Sequence, residues 1–233
     1  MRIPTSAGRL RRARRTTLTA AALAAASVLT LTACQSGGSG DDDGPAAVVS
    51  GGSSLNEGEG RVLDRPFEKP ALVLTDTTGK PYDLRARTKG KPTLIYFGYT
   101  HCPDVCPLTM SNIALAKRQL PKADQEKLQV VFVTTDPERD TPAELGTWLP
   151  GAGDPSFTGL TGPFPAIQAG ARKLGIGISP SVKEKDGTVT SMHGAQVMAF
   201  SPKTDRGYVL YGEGTSAEQY AKDLPKLIKG ENP

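Results

Sequence analysis

Two of the three cysteines in this 233-residue chain stand close together, Cys102 and Cys106 in the stretch FGYTHCPDVCPLTM. A proline follows each of them. Paired thiols at this spacing can form a static disulfide, cycle as a dithiol–disulfide couple, or hold a metal ion. A bridge closing so small a loop gains little from loop-closure entropy, and a chain of this length does not need it. Redox couples usually carry two residues between the cysteines rather than three. A metal site needs a further ligand, and the sequence offers only two histidines. His101 adjoins Cys102, so its side chain is expected to point away. His193, in TVTSMHGAQVMAF, stands just ahead of an apolar segment. Two thiolates and one imidazole form a soft donor set that suits copper, as Cu(I) or Cu(II), whereas a structural zinc site would want four ligands.

The elements around these residues decide whether they can meet. KPTLIYFGYT is a continuous apolar run, as expected of a buried central strand, and it leads straight into the cysteines. LTMSNIALAKRQL follows at helical spacing and stops before Pro121. Pro107 suits the first turn of that helix, which places Cys106 at its start and Cys102 in the loop before it. The unpaired N–H groups at a helix start favour anions, so both thiols are expected to have depressed pKa values.

KPALVLTDTTGKPYDL reads as a leading hairpin about Gly79, and LQVVFVTTD as a second buried strand. TPAELGTWL opens a helix, with Thr141 as N-cap, Pro142 in the first turn and Glu144 three residues after the cap. FTGLTG is a short strand, and FPAIQAGARKLGI a helix ending near Gly175. AQVMAFSP and GYVLYGEG pair about a KTDRG turn. SAEQYAKDLPKLIKG is a closing helix capped by Ser216 and expected to kink at Pro225. Strands alternating with helices, then a late strand pair, predict an α/β fold: a thioredoxin-like mixed sheet flanked by helices, with an N-terminal β-hairpin extension. In that layout the loop carrying His193 faces the start of the helix that carries Cys106.

The N-terminal part reads differently. Residues 1–33 start with six arginines and no acid, then run uncharged from Thr16 to Ala33, the pattern of a secretory signal. Its LTAC ending resembles the bacterial lipobox, which implies lipidation of Cys34 and a tether on the outer face of the cell membrane. Cys102 and Cys106 are then the only free thiols, in a compartment that permits oxidation. Removing residues 1–33 leaves 22 basic against 24 acidic residues, so the +4 of the full chain becomes −2. No basic stripe remains, and nucleic-acid binding has no support. Residues 34–60, rich in Gly, Ser and Asp, read as a flexible spacer, and residues 61–233 as one folded domain.

YFGYTHCPDVCP, then TTDPERDTP, then a single histidine ahead of an apolar strand, together resemble the Sco/SenC family of copper-binding, thioredoxin-fold proteins. The resemblance implies that Cys102, Cys106 and His193 bind copper. It also implies a role in delivering copper to the CuA centre of cytochrome c oxidase, or in keeping that centre's cysteines reduced. The partners it implies are oxidase subunit II or another copper chaperone. Asp136 and Asp140 match acidic positions of the family's DPERDTP segment. They serve either loop chemistry, an Asx turn at Asp136-Pro137 among it, or tuning of the site and partner docking, with Asp136 the stronger candidate. Tyr96, Phe97 and Tyr99 are expected to pack the strand and shield the metal, Trp148 to lie in the core, and Met110 and Met192 to fill space rather than ligate. Copper transfer by ligand exchange needs no catalytic acid or base, and none is marked near the motif. The alternative is a metal-independent extracytoplasmic thiol–disulfide reductase that uses the same pair.

Overall fold

The computed structural model describes residues 59–185, 189–191 and 193–233. The expected signal segment, Cys34, nearly all of the spacer and Met192 lie outside the described residues. The strands are β1 (Arg61–Glu68), β2 (Val73–Asp76), β3 (Pro81–Asp83), β4 (Thr93–Gly98), β5 (Gln129–Thr134), β6 (Thr158–Thr161), β7 (Val182–Lys183), β8 (Val189–Thr190), β9 (Val197–Phe200) and β10 (Arg206–Tyr211). The helices are α1 (Leu84–Arg87), α2 (Val105–Arg118), α3 (Lys122–Lys127), α4 (Pro142–Ala152), α5 (Phe164–Lys173) and α6 (Ala217–Ile228).

Eight strands form one mixed sheet in the order β1-β10-β9-β4-β5-β6-β2-β3. β4, β5 and β6 pair in parallel through helical crossovers, while β9 and β10 add to the free side of β4 as antiparallel strands. β4 is buried at every position because both sheet faces are covered. Leu94 and Tyr96 face one core with Phe132, Val197, α2 and α6. Ile95 and Phe97 face the other, with Val133, Met198, Ile167 of α5 and the β2–β3 hairpin. Side chains alternate across a strand, so a largely apolar run, here after Thr93, is what a two-sided sheet requires.

Five elements were not expected from the sequence: β1, α1, α3 and the short β7–β8 pair. β1 closes one sheet edge by pairing with β10, its register interrupted between Val62 and Phe67. Its mixed exposure and Pro66 blur the period-2 signal that would mark it. α1 and α3 are too short to show a helical period, and α3 buries none of its residues. The Gly79 and Gly175 turns stand where they were placed, both with positive φ. Asp205 closes the β9–β10 turn with φ of 56°, a conformation Asp tolerates better than most residues. α6 continues through Pro225 to Ile228.

Candidate metal centre

β4 delivers the chain to the site and α2 catches it. Cys102 lies in the connecting loop, its N–H donating to Tyr99 O at 3.3 Å. Asp104 caps α2, its carboxylate accepting from Val105 N. Cys106 is thus the second helical residue and Pro107 the third, where a proline costs no intrahelical hydrogen bond. The N–H of Cys106, free because the helix has just begun, donates to Cys102 Sγ at 3.5 Å. Both cysteines are free thiols and both are buried.

His193 arrives from the segment ahead of β9. Its Nε2 lies 3.6 Å from Cys106 Sγ. The donor atoms of Cys102, Cys106 and His193 all lie within 4.8 Å of one another. Among the described residues, no other His, Cys, Asp or Glu joins this cluster. Two sulfurs and one imidazole nitrogen converge, as the thioredoxin-like layout required. Aromatic rings frame the imidazole: Tyr99 meets it edge-on at a centroid distance of 5.3 Å and Tyr96 at 6.3 Å. The three-donor set, mostly buried and soft, fits copper.

The acid–base expectation fails for Cys106. Burial pushes its thiol well above the ordinary value, although a hydrogen bond donated by the Tyr96 hydroxyl works the other way. The sequence shows the helix start but not the desolvation, and with the side chain fully buried the desolvation wins. His193 is shifted down, again first by burial, opposed by the backbone of Gly194 and then by the nearby carboxylates of Glu213 and Asp104. Its imidazole is therefore neutral at pH 7 and able to ligate. Those two carboxylates line a groove of about 180 Å³ beside α2, together with Leu108 and Asn112. The Nδ1 of His193 is buried with no hydrogen-bond partner.

Around the ligands the aspartates divide their roles. Asp140 is fully buried. It accepts from Thr100 N at 3.0 Å, Thr100 Oγ1 at 2.6 Å and Thr134 Oγ1 at 2.6 Å, and so ties the cysteine loop to the end of β5. Asp136 is buried and pairs with Arg139, whose guanidinium sits over the Tyr99 ring. Asp136 thus reaches the histidine only through Arg139 and Tyr99, while Asp140 is bonded directly to the cysteine loop, a distinction the shared motif conceals. His101 turns away as expected, its Nδ1 3.8 Å from Asp140 and its side chain half exposed.

Tyr96 and Tyr99 shield the site, but Phe97 does not. It lies on the opposite face of β4, because adjacent strand residues point to opposite faces. Met110 is buried in the core beside α2, and Trp148 packs on Phe132 at 5.1 Å. Sequence reasoning missed the Tyr96–Cys106 contact and a hydroxyl pair, Thr135 with Ser191, at 3.1 Å. The first was partly legible: Tyr96 stands ten residues before Cys106, at a position that strand alternation assigns to one face. The second links residues far apart in sequence and had no local signal.

The SCO1/SenC family model matches residues 62–229. The SCO2 protein of Saccharomyces cerevisiae mitochondria is 36% identical over 122 residues, which are 52% of this chain and 38% of that protein. ScoI of Bradyrhizobium japonicum, solved with copper bound, is 34% identical with a TM-score of 0.57, covering 70% of this chain and 98% of that one. Apo Sco1 from Thermus thermophilus is 30% identical with a TM-score of 0.63, covering 72% and 96%.

Proposed function

The chain belongs to the SCO1/SenC family of copper-binding Sco proteins, and on that premise we propose that it is an extracytoplasmic copper metallochaperone for assembly of the CuA centre of cytochrome c oxidase. Cys102, Cys106 and His193 hold the copper, and Cys34 carries the lipid that tethers the domain to the outer face of the membrane. The observation that carries this reading is the convergence of the three donors within 4.8 Å, with His193 separated from Cys106 by 87 residues of sequence. Such a set, with no further His, Cys, Asp or Glu joining it among the described residues, leaves room for an incoming ligand. Copper then passes by exchange to the acceptor's thiolates, each arriving sulfur replacing one of this chain's donors. No proton-transfer catalyst is needed beyond the groups that release the metal.

A metal-free thiol–disulfide reductase is less well served by the site. An attacking sulfur must be exposed and ionised, whereas Cys102 and Cys106 are both buried and the Cys106 thiol is pushed up.

Copper titration of residues 35–233 in reduced form tests the reading, beside Cys102→Ala, Cys106→Ala and His193→Ala. Wild type is expected to take up stoichiometric copper and each variant to lose affinity sharply, with both thiols of His193→Ala still titratable. A purified CuA domain of oxidase subunit II is then expected to gain copper from the loaded protein. Unchanged uptake in all three variants sinks the site. Copper-loaded protein that does not pass its metal to the CuA domain sinks the delivery role.

A further inference from the structure

His193 sits on a segment with little regular structure of its own. Between Ile178 and β9, the only pairing among the described residues is the β7–β8 hairpin of two-residue strands. Among the hydrogen bonds between described residues, two link positions 181–196 to the rest of the domain. One is Cys106 with His193 itself. The other joins Thr135 Oγ1 to Ser191 Oγ at 3.1 Å.

The second contact is built into the cysteine side of the site. Thr135 follows β5 directly and is fully buried; Ser191 is 8% exposed. The N–H of Thr135 donates to Gly98 O at 2.7 Å, and its hydroxyl donates to the same oxygen at 3.3 Å. With the threonine proton directed to Gly98, the serine hydroxyl is left as the donor of the shared bond. Gly98 is the last residue of β4, and a Cβ there would lie 2.8 Å from Cys106 Sγ. One threonine therefore grips the strand end against which the Cys106 sulfur packs, and also a residue two positions before the histidine.

We propose that the Thr135–Ser191 hydroxyl pair is a positioning device that holds the His193 loop in register with the cysteines, and so sets metal affinity without touching the metal. This rests on the copper reading of the three ligands. Water cannot readily replace the bond, because both hydroxyls are buried. Removing the threonine hydroxyl leaves that of Ser191 without its partner, and removing either one leaves His193–Cys106 as the single remaining hydrogen bond between described residues that links the loop to the rest of the domain. Groups that orient metal ligands in this way change affinity by roughly 10–100-fold when lost.

The test uses the full chain purified in detergent. Cu(I) affinity is measured by competition with a chromophoric chelator, and amide hydrogen exchange is followed on the metal-free protein. The variants are Thr135→Val, Ser191→Ala, the double variant, Thr135→Ser, and Thr135→Val combined with His193→Ala. Each single hydroxyl deletion is expected to weaken copper binding about tenfold, and the double variant no further than either single. Thr135→Ser is expected to restore wild-type affinity. In the His193→Ala background Thr135→Val should cost nothing more, because the histidine it positions is gone. Exchange at positions 189–194 should speed up while β4 and β5 stay protected. Affinities within twofold of wild type for both single variants overturn the proposal. So does an equal loss in the His193→Ala background, which would signal general destabilisation. If the wild-type chain takes no copper, the copper reading fails separately, and unchanged exchange at 189–194 in Thr135→Val and Ser191→Ala then overturns the positioning role as well.

Discussion

The Tyr96 hydroxyl donates to Cys106 Sγ at 3.4 Å, inside the core and out of contact with solvent. Ten residues separate the two, and they belong to the strand and the helix that flank the cysteine loop. A donor aimed at a thiolate withdraws charge from it, so this tyrosine bears on the electronics of any metal the sulfur holds.

Tyr96→Phe keeps the ring against Phe132 and removes only that donor. The metal-free protein is expected to lose about 1 kcal/mol in urea unfolding. In the copper form the sulfur becomes a stronger donor, which favours Cu(II) and lowers the Cu(II)/Cu(I) potential. Protein-film voltammetry checks this, and an unchanged or raised potential contradicts it.

Acidity sets a second expectation. Cys106 holds its proton well above the ordinary thiol value of 9.0, while His193 loses its proton below the ordinary 6.5. Copper must displace the thiol proton, so apparent affinity should rise with pH across the neutral range, by about tenfold per unit for each proton released.

The same shifts act on the metal-free fold with opposite signs. At alkaline pH the unfolded chain releases the Cys106 proton before the folded one does, so this contribution is full below pH 9.0 and is lost as pH rises. At acid pH the unfolded chain takes up a proton on His193 first, so that contribution is full above 6.5 and is lost as pH falls. Urea unfolding of Cys106→Ser should show a shallower alkaline slope, the remainder coming from buried tyrosines such as Tyr211 and Tyr220 that are shifted up in the same way; a slope equal to that of wild type would contradict the assignment.

Gly98→Ala tests the closeness of the strand to the sulfur. The new methyl would stand 2.8 Å from Cys106 Sγ and 2.7 Å from Tyr96 Cε1. Neither neighbour can move freely in a filled core, so a loss of roughly 1–3 kcal/mol is expected, together with weaker copper binding. Thermal unfolding and chelator competition measure the two effects. Wild-type values for both would mean that the sulfur is free to shift.

Asp140→Ala should harm the site more than Asp136→Ala, because only Asp140 bonds the cysteine loop directly. Three donors lose their partner at once, with an expected cost of about 3 kcal/mol. Comparing copper affinity and unfolding in the two variants checks the ranking. A larger affinity loss in Asp136→Ala would reverse it.

What the sequence determined was local or periodic. The strand running into Cys102 could be read because a sheet covered on both faces leaves β4 no exposed position, and five of its six residues follow Thr93 without a charge or an amide. The caps at Thr141 and Ser216 were legible because a cap is made by neighbouring residues, and each side chain accepts an N–H from the first turn of its helix. The cysteine spacing and the scarcity of histidines narrowed the chemistry to two thiols and one imidazole. The α/β order then gave His193 a place near them.

What only the tertiary structure decided depends on everything that surrounds a group. The Cys106 thiol rises instead of falling, because desolvation sums over all the atoms that exclude water, and most of those belong to remote segments. Likewise β1 earns its place by pairing with β10, near the other end of the domain. The hydroxyls of Thr135 and Ser191 meet across 56 residues. No pattern in either segment marks that contact, because a hydrogen bond between distant residues exists only once the chain between them has folded.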